Sequence, residues 1–164
     1  MKIYLIGMPL SGKTHLALKL AEALNYEFID MDQEITDNHN MSIDAIFYLY
    51  GESTFRTYET ELLEALKERD NIVVSTGGGI VTTPLNKKHF DGITFYLDTS
   101  LEELENRLKM SHSRPLLKVK TIKELYEERK DAYLEFSDHT IKNDSDFDKP
   151  LKQIIKILND GNHL

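Results

Sequence analysis

Apolar positions recur along the chain in two rhythms, and their alternation predicts the fold. Short runs rich in β-branched and aromatic residues stand at 3–6, 27–29, 72–76, 93–97 and 140–142. Each reads as a strand, and so continuous an apolar run suits one covered on both faces. Between them the spacing turns helical. Leu16, Ala17, Leu20, Ala21 and Leu24 share a face. So do Ile43, Ile46, Phe47 and Tyr50, then Phe55, Tyr58, Leu62, Leu63 and Leu66, and finally Leu151, Ile154, Ile155 and Leu158. Ser42 is an N-cap candidate and Gly51 a stop signal. Ser100 with Glu103, and Thr121 with Glu124, have the spacing of capping boxes, and Asp148 opens the last helix. No repeat or linker interrupts the series. It predicts one α/β domain over residues 1–164, with helices on both faces of a mostly parallel sheet.

Ligands of open parallel sheets bind beyond the carboxyl ends of the strands, so the residues after each strand form one set. After the first strand, residues 7–14 read Gly-Met-Pro-Leu-Ser-Gly-Lys-Thr and fit the phosphate-loop pattern G-x-x-x-x-G-K-[ST]. Four fixed positions can match by chance, but a strand before and an amphipathic helix after are the context the chemistry needs. Loop N–H groups and those at the helix start make a nest for polyphosphate. Gly7, Leu10, Ser11, Gly12, Lys13, Thr14 and His15 are the expected ATP-binding residues, with Lys13 on the β- and γ-phosphates and the Thr14 hydroxyl on Mg²⁺.

After the second strand comes Asp30-Met31-Asp32. If strand pairing persists, both carboxylates face the crevice, where one can hold the metal shell and the other can orient or deprotonate a hydroxyl. The alternative is an aspartate-rich helix cap. After the third strand comes Thr76-Gly77-Gly78-Gly79, which marks either backbone approached closely by another group or a tight turn. Ser75, at the end of that strand, is placed to reach the metal's water shell.

A net charge of −8 argues against nucleic acid or an anionic membrane as the main partner. Only five of the twenty basic residues are arginines, the group best suited to a two-pronged grip on carboxylate or phosphate. Arg56 opens a helix, where a cation opposes the helix dipole, so it calls for a carboxylate, either Glu52 or Glu59 or a ligand. Arg129 lies four residues from both Leu125 and Tyr133, on an inward stripe, with Glu128, Asp131 or a ligand as its counterpart. Residues 110–118, carrying Arg114, read as a flap able to close over phosphates, the lid spanning about 110–120. The chain has no cysteine and no apolar stretch near the roughly 20 residues a membrane span needs, and a strand already occupies its N-terminus. A cytoplasmic monomer is expected.

Taken in order and spacing, this series resembles shikimate kinase. The resemblance rests on the phosphate loop, Asp30-x-Asp32, Gly51-Glu52 with Phe55-Arg56 and Glu59, the triple glycine, Arg114-Pro115-Leu116-Leu117, and Arg129 with Tyr133 and Glu135. It implies a three-layer P-loop fold of the nucleoside-monophosphate-kinase type, with a five-stranded parallel sheet in the order 2-3-1-4-5. It implies transfer of the ATP γ-phosphate to the 3-hydroxyl of shikimate, with Mg²⁺, in aromatic amino-acid biosynthesis. Asp32, Arg56, Gly78 and Arg129 fall on substrate-binding positions within or beyond a region of about 30–60. Asp32 is also the implied base, Lys13 and Arg114 join it in catalysis, and Arg114 meets ATP from the lid. The chain departs from the family at Leu10, where glycine is common, and after the last strand, where Asn143, Asp144 and Asp146 stand in place of an adenine-side arginine. A gluconate-kinase-like enzyme would share the loop but not the triple glycine and the Arg114-Pro-Leu-Leu run. A non-catalytic nucleotide-binding module would be expected to lose Lys13, Thr14 or Asp32.

Overall fold

Strand β1 (Lys2–Ile6) is buried at every position, because it lies at the centre of the sheet with helices on both sides. The computed structural model describes residues 1–111, 120–144, 146 and 148–164. Strands β2 (Glu27–Asp30), β3 (Ile72–Ser75), β4 (Ile93–Asp98) and β5 (His139–Lys142) complete a parallel sheet in the order β2-β3-β1-β4-β5. That is the order the resemblance implied.

Side chains alternate between the two faces with the period of two that a strand imposes. Ile3, Leu5, Val73, Phe95 and Leu97 pack with α1 (Lys13–Leu24) and α7 (Asp148–Asp160). Tyr4, Ile6, Val74 and Tyr96 pack on the other face. There they meet α2 (Met31–His39), α3 (Ile43–Tyr50), α4 (Glu52–Ala65) and α6 (Ile122–Phe136). Helix α5 (Leu101–Lys109) adds Leu104 to this second layer. Burying Leu16 and Leu20, both fully enclosed, contributes about 1.5–3 kcal/mol for each side chain.

The helix boundaries follow local chemistry. Ser42 accepts from the Ala45 amide, Ser100 from Glu103 and Thr121 from Glu124. Glu103 does not reach back in a full capping box; its carboxylate binds Arg107 instead. Gly51 ends α3 at φ 84 and starts α4, a junction that favours glycine. Tyr50, expected on the inward face of α3, is 54% exposed, and its neighbours Tyr48 and Leu49 in the last turn of that helix are exposed too.

Register sets the position of the crevice. Asp30 pairs with Ser75 and Leu5 with Ser75, so β2, β3 and β1 end at one level. Thr76 locks this edge, its amide and hydroxyl both donating to the Leu5 carbonyl at 3.2 and 3.0 Å. Among the described residues, no helix is long and apolar enough to cross a membrane.

Candidate active site

A cavity of about 800 Å³ opens at this level. The phosphate loop forms one wall, with Leu10, Gly12, Lys13, Thr14 and His15 on the lining. Gly7 and Ser11 do not line it. Gly7 bends the chain at φ 152, and Ser11 is fully buried beneath the loop. Gly12, at φ 88, caps α1, whose first N–H groups then face the cavity wall. Lys13 donates to the Met8 carbonyl at 2.8 Å, so its ammonium lies folded over the loop. Thr14 Oγ1 and Ser75 Oγ are 3.1 Å apart, two neutral oxygens beside the phosphate nest. Hydroxyl and carboxylate oxygens suit Mg²⁺, which keeps several waters and takes few protein ligands.

Asp30 and Asp32 both line the cavity, but not as neighbours on one strand. Pairing stops at Asp30, which turns the chain into α2 as its N-cap and accepts the amides of Asp32 and Gln33 at 3.1 and 3.3 Å. Asp32 therefore projects from the first turn of a helix. The cap reading of this motif is the one that local hydrogen bonding selects, and it still leaves both carboxylates on the crevice.

Opposite the loop stand Arg56, Glu59 and Arg129. Arg56 donates to Glu59 at 2.6 Å and to Glu52 at 3.1 Å, so both internal partners are used. Burial opposes its charge, but the two carboxylates outweigh that and hold the guanidinium pKa above its ordinary value. Glu59 is fully buried, and burial pushes its carboxyl up to about 7. Arg56 pulls against this shift, Asp32 adds to it, and Arg129 opposes it more weakly. Arg129 is 3% exposed, and its Nε and Nη1 have no hydrogen-bond partner among the described residues. Glu128, one of its candidate counterparts, pairs with Lys120 at 2.8 Å, and Asp131 faces solvent. A buried guanidinium with two idle donors is a costly arrangement unless a ligand completes it.

The three glycines each answer a different neighbour. A Cβ at Gly77 would lie 2.7 Å from Glu59 Oε2 and 3.0 Å from Asp32 Oδ1. At Gly78 it would lie 2.7 Å from Pro9 of the phosphate loop, and at Gly79 it would overlap the Arg56 guanidinium. Close approach, not turn geometry, is thus the reason for the run. Tyr133 fastens it by donating to the Gly78 carbonyl at 2.5 Å. Burial raises that phenol to about 12, which keeps the proton in place for the bond.

Arg114 lies outside the described residues, as does most of the expected lid. Glu59 and Tyr133 belong to the motif series but not to the expected site residues, and Arg107 is not among those either. Arg107 reaches the corner after β5 from α5 and donates to the Asp144 carbonyl at 2.8 Å. Its only sequence signal was membership of a set of five arginines.

A family model described as shikimate kinase matches residues 9–159. The chain belongs to the shikimate kinase family. Similar relatives include the shikimate kinase of Aquifex aeolicus, 39% identical over 168 residues covering 100% of this chain and 99% of the relative. That of Clostridium botulinum strain Okra is 40% identical over 164 residues, 94% of each. The fold also superposes on a solved structure, shikimate kinase from Acinetobacter baumannii in complex with shikimate, with a TM-score of 0.90 at 36% identity. That match covers 99% of this chain and 94% of the other. As a family member the protein is an ATP-dependent small-molecule kinase of the P-loop type.

Proposed function

We propose that the protein transfers the γ-phosphate of ATP to the 3-hydroxyl of shikimate, giving shikimate 3-phosphate and ADP in chorismate and aromatic amino-acid biosynthesis. The observation that carries this reading is the buried Arg129, with two unpartnered donors, across the cavity from the phosphate loop. A small carboxylate bearing hydroxyls satisfies it. The carboxylate sits between Arg129 and Arg56, whose planar guanidiniums give the two-pronged geometry a point charge lacks.

The remaining roles follow from position. Loop amides and Lys13 hold the β- and γ-phosphates, the lysine exchanging its contact with the Met8 carbonyl for phosphate oxygens. Mg²⁺ would be held by Thr14 and, through its water shell, by Asp30, and would supply charge neutralisation at the phosphates. Asp32, on the rim of α2 beside the glycine run, accepts the proton of the attacking hydroxyl or orients it. The backbone at Gly78 meets a ring hydroxyl. Arg114 is assigned to the ATP from the lid by the family resemblance. Most of the rate enhancement comes from alignment and fixed charge, since phosphoryl transfer asks little covalent chemistry of the protein.

The test is a coupled ADP-release assay with ATP and Mg²⁺. Shikimate should support turnover, and gluconate and nucleoside monophosphates hardly any. Equal rates with shikimate and gluconate, or no rate with shikimate, would sink the assignment.

A further inference from the structure

The crown of the phosphate loop is held in a conformation its sequence resists. Leu10 sits at φ 70, the left-handed region, which is unfavourable for a residue with a Cβ. Its carbonyl accepts a hydrogen bond from Arg107 Nη1 at 2.9 Å, across 97 positions of sequence. The other two sides of the same guanidinium are anchored: Nε donates to Glu103 Oε1 at 2.9 Å and Nη2 to the Asp144 carbonyl at 2.8 Å. The next carbonyl of the loop is tied as well. Ser11 O accepts from the buried Asn143 Nδ2 at 2.6 Å, and Asn143 itself follows β5. Two successive crown carbonyls are thus fastened to α5 and to the segment after β5.

We propose that Arg107 is a positioning residue that clasps the phosphate loop, holding Leu10 left-handed so that the loop amides stay aimed at a polyphosphate. The clasp rests on the reading of residues 7–14 as the ATP phosphate site. Its logic is specific to a residue with a side chain at position 10. Glycine takes this φ freely, so a glycine there would keep the crown in place without help. With leucine, loss of the arginine lets the crown relax out of the left-handed region, and the amides turn with it. The arginine then matters for the phosphates whether or not a nucleoside is attached.

A double-mutant cycle between Arg107 and Leu10 tests this, read by calorimetric titration of the full chain with inorganic tripolyphosphate, which carries no base or ribose. Arg107→Ala should weaken tripolyphosphate binding about five- to thirtyfold, the fold-change equivalent to about 1–2 kcal/mol. In the Leu10→Gly background the same substitution should weaken it by less than about threefold, this being the non-additivity expected of coupled neighbours. KM for ATP should rise in parallel, with kcat at saturating ATP little changed, and Arg107→Lys should recover part of the loss. Thermal melting monitors folding, and should Arg107→Ala fail to fold, Arg107→Lys and Arg107→Gln carry the cycle. Equal losses in both backgrounds overturn the clasp. So does a loss for ATP with tripolyphosphate binding intact, which would make Arg107 a contact to the nucleoside. Lys13→Ala separates the two levels of the argument. If it leaves tripolyphosphate binding unchanged, the loop is not the phosphate site and the clasp falls with it. If it abolishes binding while the cycle is additive, only the clasp falls.

Discussion

Replacing Gly79 with alanine adds one methyl group where the Arg56 guanidinium already rests. Gly79 has φ −94 and ψ 7, a conformation open to alanine, so the backbone itself is not the obstacle. The new Cβ would overlap Cζ and both terminal nitrogens of Arg56. That group has little room to retreat. It is 12% exposed and gripped by Glu59 at 2.6 Å and Glu52 at 3.1 Å. The guanidinium must pivot, and the simplest loss is one charge-assisted hydrogen bond to the substrate carboxylate, about 1.5–3 kcal/mol. Gly79→Ala should therefore raise the KM for shikimate about ten- to a hundredfold at saturating ATP. The assay is steady-state ADP release with shikimate varied, with calorimetric titration of shikimate as a second reading. Gly78→Ala differs in kind, because its Cβ meets the Pro9 ring of the phosphate loop and should raise the KM for ATP as well as that for shikimate. A shikimate KM within about twofold of wild type in a well-folded Gly79→Ala protein would refute the role given to Arg56.

Other outcomes are expected from the same geometry. Asp32→Asn should cut turnover about a hundredfold while Mg·ATP binding stays near wild type; retention of most of the turnover would reduce Asp32 to a clamp on the substrate ring. Because burial lifts Glu59 from 4.5 to about 7, the folded protein keeps a proton there that the unfolded chain releases. This contribution is fully present below about pH 4.5 and is lost as pH rises to about 7. The melting temperature of Glu59→Gln should then fall less across that interval than wild type's, and parallel curves would contradict the burial argument. Tyr133→Phe keeps the ring stacked on Tyr96 at 5.0 Å but strips a donor from the Gly78 carbonyl. It should cost about 1–3 kcal/mol in chemical denaturation.

Local rules made much of this molecule legible. The strands were visible as short apolar runs, and Ser42, Ser100 and Thr121 cap the helices their spacing announced. The triple glycine was readable as close approach because three glycines in a row give a core nothing else. Arg129 was readable as buried from its place between Leu125 and Tyr133. The Asp30-x-Asp32 pair was legible in its destination but not in its geometry. An aspartate after a strand carries both a strand-end and a cap signal, and the cap bonds to the amides of Asp32 and Gln33 won. Long-range bonds left no local trace. Arg107 resembles an ordinary surface partner of Glu103, and nothing near it in sequence points to Leu10. The burial of Glu59 was hidden for the same reason, its only clue being Arg56 three residues before.

The central claim is phosphoryl transfer to one hydroxyl of shikimate, and product analysis addresses it most directly. The protein is incubated with ATP, Mg²⁺ and shikimate, and the product is examined by phosphorus and proton magnetic resonance. A single phosphate ester on the 3-hydroxyl, formed in equal amount with ADP, is the predicted result. Phosphate on another hydroxyl, or ADP formed with no phosphorylated shikimate, would contradict the account.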